Sequence, residues 1–176
     1  MGSREMRLHL VDHNGHLVNA WTRAFEPFPD VSVQQGDLLE VAEHCVVSPA
    51  NSYGFMDGGI DAAYLGFFGT RIQQVVQDAI ARRPEGFLPV GGSLVVNTGH
   101  ERIPFLVVAP TMAIPEQVES SHCYRAMRAI LRIAQTTPEV ARDIYCPGLA
   151  TGIGAVPPTE AAAKMAEAYR DWKNQR

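Results

Sequence analysis

The order of hydrophobic patterns along the chain predicts an α/β protein, a three-layer α/β/α sandwich around a central mixed sheet. Three observations carry this expectation. Short β-branched runs alternate with stretches of helical periodicity, two neighbouring runs are spaced as a hairpin, and no internal repeat or low-complexity tract divides the chain. With 176 residues, 46% hydrophobic and 19% charged, the chain holds enough apolar material for one core, so residues 1–176 are expected to form a single domain.

Taken in order, Met6 to Val11 (MRLHLV) reads as a short buried strand. After the Asn14-Gly15 turn, Leu17, Val18, Trp21, Ala24 and Phe25 form the apolar stripe of a helix that Pro27 and Pro29 close. A second strand runs from Val31 into Gly36 and a third covers Cys45 to Ser48. A loop with three glycines, Asn51 to Gly59, then opens into a long helical pattern from Ile60 to Ile80, which Gly66 and Gly69 are placed to bend or split. Ser93 to Asn97 and Phe105 to Ala109 read as strands joined by a turn at Gly99 to Arg102, which makes the sheet mixed. A helix begins near Ser120 with Cys123, Met127, Ile130, Leu131 and Ala134 on its inner face, and a last strand ends near Ile144 to Cys146. The glycine-rich stretch Gly148 to Gly154 leads past Pro157 and Pro158 into a closing helix that buries Ala162, Met165, Tyr169 and Trp172.

Composition narrows the function. A net charge of −4, from 15 basic and 19 acidic residues, gives no cationic field for a nucleic-acid backbone, so long polynucleotides are not expected partners. Three scattered cysteines, Cys45, Cys123 and Cys146, have neither disulfide density nor a CxxC zinc spacing and read as buried small hydrophobes in a reducing compartment. No apolar run approaches a membrane span, and the start of the chain has no signal-like hydrophobic region, so a cytoplasmic protein without a membrane partner is expected. Met1 to Ser3 receive no structural role. Asp57 and Asp61, with Asp37 as a third carboxylate, are too few for a hard divalent cation, so neither a metal nor a cofactor is expected. His13, His44, His100 and His122 read as hydrogen-bonded residues, not as bases.

In a sheet of this kind ligands bind where strands end and loops enter helices. Two loops qualify, and both are glycine-rich. They offer either backbone N–H groups for phosphate oxygens or simply tight turns, and neither contains a P-loop lysine or the dinucleotide-binding glycine pattern.

The residues around these loops are more specific. Gly36-Asp37, then Ser48-Pro49-Ala50-Asn51, then Gly58-Gly59-Ile60-Asp61, then Thr151-Gly152-Ile153-Gly154 with Pro157 resemble, in order, four motifs of the macrodomain family. The ten-residue step from Asn51 to Asp61 is similar to that of the family's hydrolytic branch. The resemblance implies a protein that binds ADP-ribose or an ADP-ribosylated protein and hydrolyses ADP-ribosyl linkages; a monomer is expected. A non-catalytic ADP-ribose-binding module and an O-acetyl-ADP-ribose deacetylase are the alternatives.

Position by position, Asp37 matches the carboxylate that accepts from the adenine amino group, with a turn cap as its other reading. Gly58, Gly59 and Ile60 match the loop at the distal ribose, and Thr151, Gly152, Ile153 and Gly154 the loop that wraps the phosphates. Asn51 matches the amide that orients the distal ribose. Asp61 matches the carboxylate that orients or activates a water at the anomeric carbon, although a helix N-cap is its plainer reading; near a helix N-terminus it is expected to ionise easily.

Three departures stand out. Ser48 replaces the family's leading asparagine and is expected to line the ADP-ribose site, offering one hydroxyl in place of an amide. Gly154 stands where many hydrolytic members carry an aromatic, which implies a more open pocket that accepts a larger adduct. No strand candidate follows the closing helix, so Met6 to Val11 is expected to take the place of the family's last strand and bring residues 12 to 14 close to Asp37.

Overall fold

A computed structural model describes residues 6–140 and 142–175; the reading of Met1 to Ser3 lies outside them. The elements run β1 (Arg7–Asp12), α1 (Gly15–Ala24), β2 (Ser32–Gln35), α2 (Leu38–Val41), β3 (Cys45–Ser48), α3 (Gly59–Phe68), α4 (Arg71–Ala81), β4 (Leu94–Asn97), β5 (Phe105–Val108), α5 (Ser121–Thr136), β6 (Asp143–Cys146) and α6 (Pro158–Asn174). The six strands form one sheet in the order β2-β1-β6-β3-β5-β4. Every pair is parallel except β4 with β5, the hairpin that the sequence predicts. Strand β1 lies inside the sheet, parallel to both β2 and β6, and so fills an interior slot, as expected of a strand that stands in for a missing one.

Alternation along the strands supplies two cores. Leu8, Leu10, Cys45, Val47, Val107, Ile144 and Cys146 face a layer made by α1, α5 and α6. Val11, Val46, Leu106 and Val108 face the opposite layer, with Tyr64 of α3 and Ile72, Val76 and Ile80 of α4. Helices on both faces explain why all four residues of β3 are buried and why the strand reads as a continuous apolar run instead of an alternating one. The three cysteines are free thiols inside these cores, and burial pushes those of Cys45 and Cys123 up to about 12.

The structure decides how the long helical pattern is divided and adds two short elements. The helical pattern from Ile60 to Ile80 is two helices, because Gly69 adopts φ +95°, a conformation that a residue with a side chain rarely takes, and its N–H closes α3 on the Leu65 carbonyl. Gly66 is accommodated inside α3 without a break. The four-residue α2 and a 3₁₀ turn at Pro138–Val140 have no sequence signal, since neither is long enough to show a period. Among the described residues no helix is long and apolar enough to cross a membrane.

Trp21 of α1 is fully buried, and its indole N–H points to the sulfur of Met165 on α6 at 3.4 Å. Trp21→Ala is expected to destabilise the fold by roughly 3–5 kcal/mol, seen as a lower urea midpoint at unchanged slope.

Candidate functional site

Five parallel strands end at the same edge of the sheet, and the segments that leave them enclose a cavity of about 450 Å³. That volume is in the range of sites for small organic ligands.

One end is built by β1 and β2. The Gly36 N–H bonds to the Asp12 carbonyl at 3.1 Å, so residues 12 to 14 and Asp37 line the same end of the cavity, as expected. Asp37 caps α2, accepting from the Leu39 N–H at 3.0 Å, so its plainer reading is realised while its side chain still lines the cavity. Asp12 holds two segments together. One oxygen accepts from the Asn14 N–H at 3.0 Å and the other from the Gly148 N–H at 2.9 Å. Asn14 in turn caps α1, accepting from the N–H groups of His16 and Leu17.

At the other end stand Asn51 and Asp61. The Asn51 side chain is used largely by its own loop. Its oxygen accepts from the N–H groups of Tyr53 and Phe55, and its nitrogen donates to the Phe55 carbonyl at 2.9 Å, which leaves one amide hydrogen for a ligand. Asp61 is 7% exposed and lies in the first turn of α3, three residues after the N-cap Gly58; it caps nothing. Its carboxylate accepts instead from the Ser48 hydroxyl at 2.5 Å. Burial pushes the Asp61 carboxyl up to about 6, with the Ser48 bond pulling the other way. The expectation of easy ionisation is therefore corrected: desolvation outweighs the helix terminus. Ser48 itself is 2% exposed and is not part of the cavity wall, unlike the other predicted site residues.

The two glycine loops meet across the opening, with the half-exposed Ile153 side chain seated over Gly58. Gly59 needs its φ of +59° to turn into α3. Gly58, Gly59 and Ile60 line the cavity from one side, and Thr151, Gly152, Ile153 and Gly154 from the other. Gly154 is not an emptied aromatic position. A Cβ there would lie 2.8 Å from the Ala150 carbonyl oxygen, because the loop closes on itself through the Val156 N–H to Ala150 bond. Close backbone approach dictates this glycine.

Among the described residues the wall carries Asp12, Asp37, Asp57 and Asp61 and no lysine or arginine. An anionic ligand would thus rely on N–H groups, not on cationic side chains. Sequence reasoning missed Asp12 as the tie between loops, and also Phe55, Thr111 and Met112 as wall residues. Asp12 follows an apolar strand directly, which was the available signal; nothing local marks the others. His122 bonds to the Thr111 carbonyl at 2.7 Å behind the wall, and His44 and His100 are likewise tied into hydrogen bonds. Among the described residues no group of three or more His, Cys, Asp or Glu is placed to hold a metal ion.

Residues 47–165 match the family model described as Macro domain. The chain is a member of the macrodomain family. A protein of Aquifex aeolicus with no assigned function is 32% identical over 145 residues, spanning 82% of this macrodomain and 83% of its own length. An O-acetyl-ADP-ribose deacetylase of Escherichia fergusonii is 26% identical over 144 residues, with 81% and 79% covered. The Oceanobacillus iheyensis macrodomain solved with ADP shares the fold at a TM-score of 0.68, with 18% identity over 80% of this macrodomain and 75% of that chain.

Two outcomes follow from the geometry. Nothing lies within 4 Å of a Cβ built at Gly152, so Gly152→Ala is expected to leave stability nearly unchanged, whereas Gly154→Ala should cost about 1–3 kcal/mol in chemical denaturation. Raising the Asp61 carboxyl from 3.8 to about 6 corresponds to a penalty of roughly 3 kcal/mol for the ionised form. That penalty is absent below pH 4, grows as the pH rises to about 6 and is complete above it. Asp61→Asn should therefore be the more stable protein above pH 6 and lose this advantage on acidification.

Proposed function

We propose that this macrodomain binds ADP-ribose in the cavity and hydrolyses ADP-ribosyl linkages on modified proteins. The observation that carries the reading is a buried carboxylate, Asp61, opening onto the one end of the cavity where both glycine loops converge. The ADP-bound Oceanobacillus macrodomain and the deacetylase relative support ligand and reaction class respectively.

In this reading Asp37 accepts from the adenine amino group, and the loops at Gly58 to Ile60 and Thr151 to Gly154 hold the diphosphate through backbone N–H groups. Holding both ends of the ligand fixes the distal ribose for reaction. The remaining Asn51 amide hydrogen orients that ribose. Asp61 accepts a hydrogen bond from the attacking water at the anomeric carbon, a task for which a carboxylate titrating near 6 is better matched than an ordinary aspartate. The protein acts as a monomer in the cytoplasm, where its buried thiols remain unpaired. Deacetylation of O-acetyl-ADP-ribose is the second reading, favoured by the Escherichia relative and served by the same carboxylate.

Incubation with a protein mono-ADP-ribosylated on acidic residues tests this. Wild type should release ADP-ribose, and Asp61→Ala should lower the rate by about 10²-fold or more while still binding ADP-ribose. Binding without release would make the protein a reader, and release that survives both Asp61→Ala and Asn51→Ala would overturn the residue assignment. Because the ionised Asp61 is the active form, kcat should fall about tenfold per pH unit below about 6.

A further inference from the structure

Strand β3 is gripped between β5 and β6, and its last residue, Ser48, is opposite Val108 in the parallel ladder. Two hydrogen bonds join this strand end to α3. The Tyr64 hydroxyl donates to the Val47 carbonyl at 2.7 Å, and the Ser48 hydroxyl donates to the Asp61 carboxylate at 2.5 Å. Asp61 and Tyr64 are three residues apart and share one helix face, so adjacent strand residues hold adjacent turns of the helix. Tyr64 and Ser48 are buried and Ser48 does not line the cavity, so its route to the cavity is the Asp61 carboxylate that it bonds.

We infer that Ser48 is the positioning residue for Asp61: it holds one carboxylate oxygen against the rigid end of β3 and leaves the other to the cavity. This rests on the hydrolytic reading of Asp61. An ionised carboxylate only accepts, so the Ser48 proton must point to it, and the bond favours the charged form against burial. The second Asp61 oxygen has no hydrogen bond among the described residues. Tyr64 is the ionisable neighbour on the same helix face, Asp57 lines the cavity just before α3, and Asp12, His13 and Asp37 line its opposite end. Ser48 thus gives the acid a dedicated hydroxyl donor.

The test is the titration of the Asp61 carboxyl, followed by carbon-13 NMR in wild type, Ser48→Ala and Ser48→Thr, alongside the pH profile of ADP-ribose release. Ser48→Ala should make Asp61 about a tenfold weaker acid or more, since a hydrogen bond to a charged group is lost. The acid limb of kcat should move up with it while KM changes little, and Ser48→Thr, which keeps the hydroxyl, should restore both. An Asp61 midpoint that stays at the wild-type value in folded Ser48→Ala would overturn the inference. If wild type releases no ADP-ribose, the hydrolytic reading fails, and the NMR midpoints still decide whether Ser48 sets the state of Asp61.

Discussion

The parallel alignment of five strands is the constraint from which the site follows. Parallel neighbours cannot be joined by tight hairpins, so each strand must hand over to a segment that crosses a face of the sheet before the next begins. All the departures from the carboxyl ends therefore lie on one edge. The end of β1, Gly36 after β2, Pro49 after β3, Thr111 after β5 and Pro147 after β6 come together there without being near one another in the chain. The antiparallel β4 sits at the outer edge and leaves this convergence undisturbed.

Convergence alone would leave a set of loops, and hydrogen bonds from carboxylates turn it into a shaped cavity. Asp12 ties the start of α1 to the second glycine loop across 136 residues of sequence. Asp61 ties α3 to β3 through Ser48. Each is an acid whose structural and chemical uses coincide: the atoms that organise the backbone also give the wall its negative character. The carboxylates of the wall lie towards its two ends, with the glycine loops between them. Recognition by oriented backbone dipoles suits that arrangement, because it needs no lysine or arginine to pair with the acids and spoil their geometry.

Much of this was legible in the residues. Both layers of core, the hairpin and the closing helix follow from hydrophobic period, and the Gly-Asp, Asn51-to-Asp61 and Thr-Gly-Ile-Gly spacings located both loops. The interior position of β1 was also legible, since no strand candidate follows the closing helix and an unfilled slot would leave an apolar sheet edge bare. What misled was reading single positions by analogy. Gly154 looked like a vacated aromatic site, but its reason is the Ala150 backbone 2.8 Å away, which no local pattern reveals. At Asn51 the sequence could not show that three of the hydrogen-bonding positions are taken by residues within four of it, leaving one amide hydrogen for a ligand.

The chain's order of periods and its glycine spacing were enough to specify the strands, the helices and the two loops, because these depend on local preference and on which face of each element is apolar. The ionisation of Asp61, the withdrawal of Ser48 behind the wall, and the joining of Asp12 to Gly148 were settled only by the folded protein. Each depends on desolvation or on contact between residues far apart in sequence, and neither quantity exists until the strands have brought those residues together.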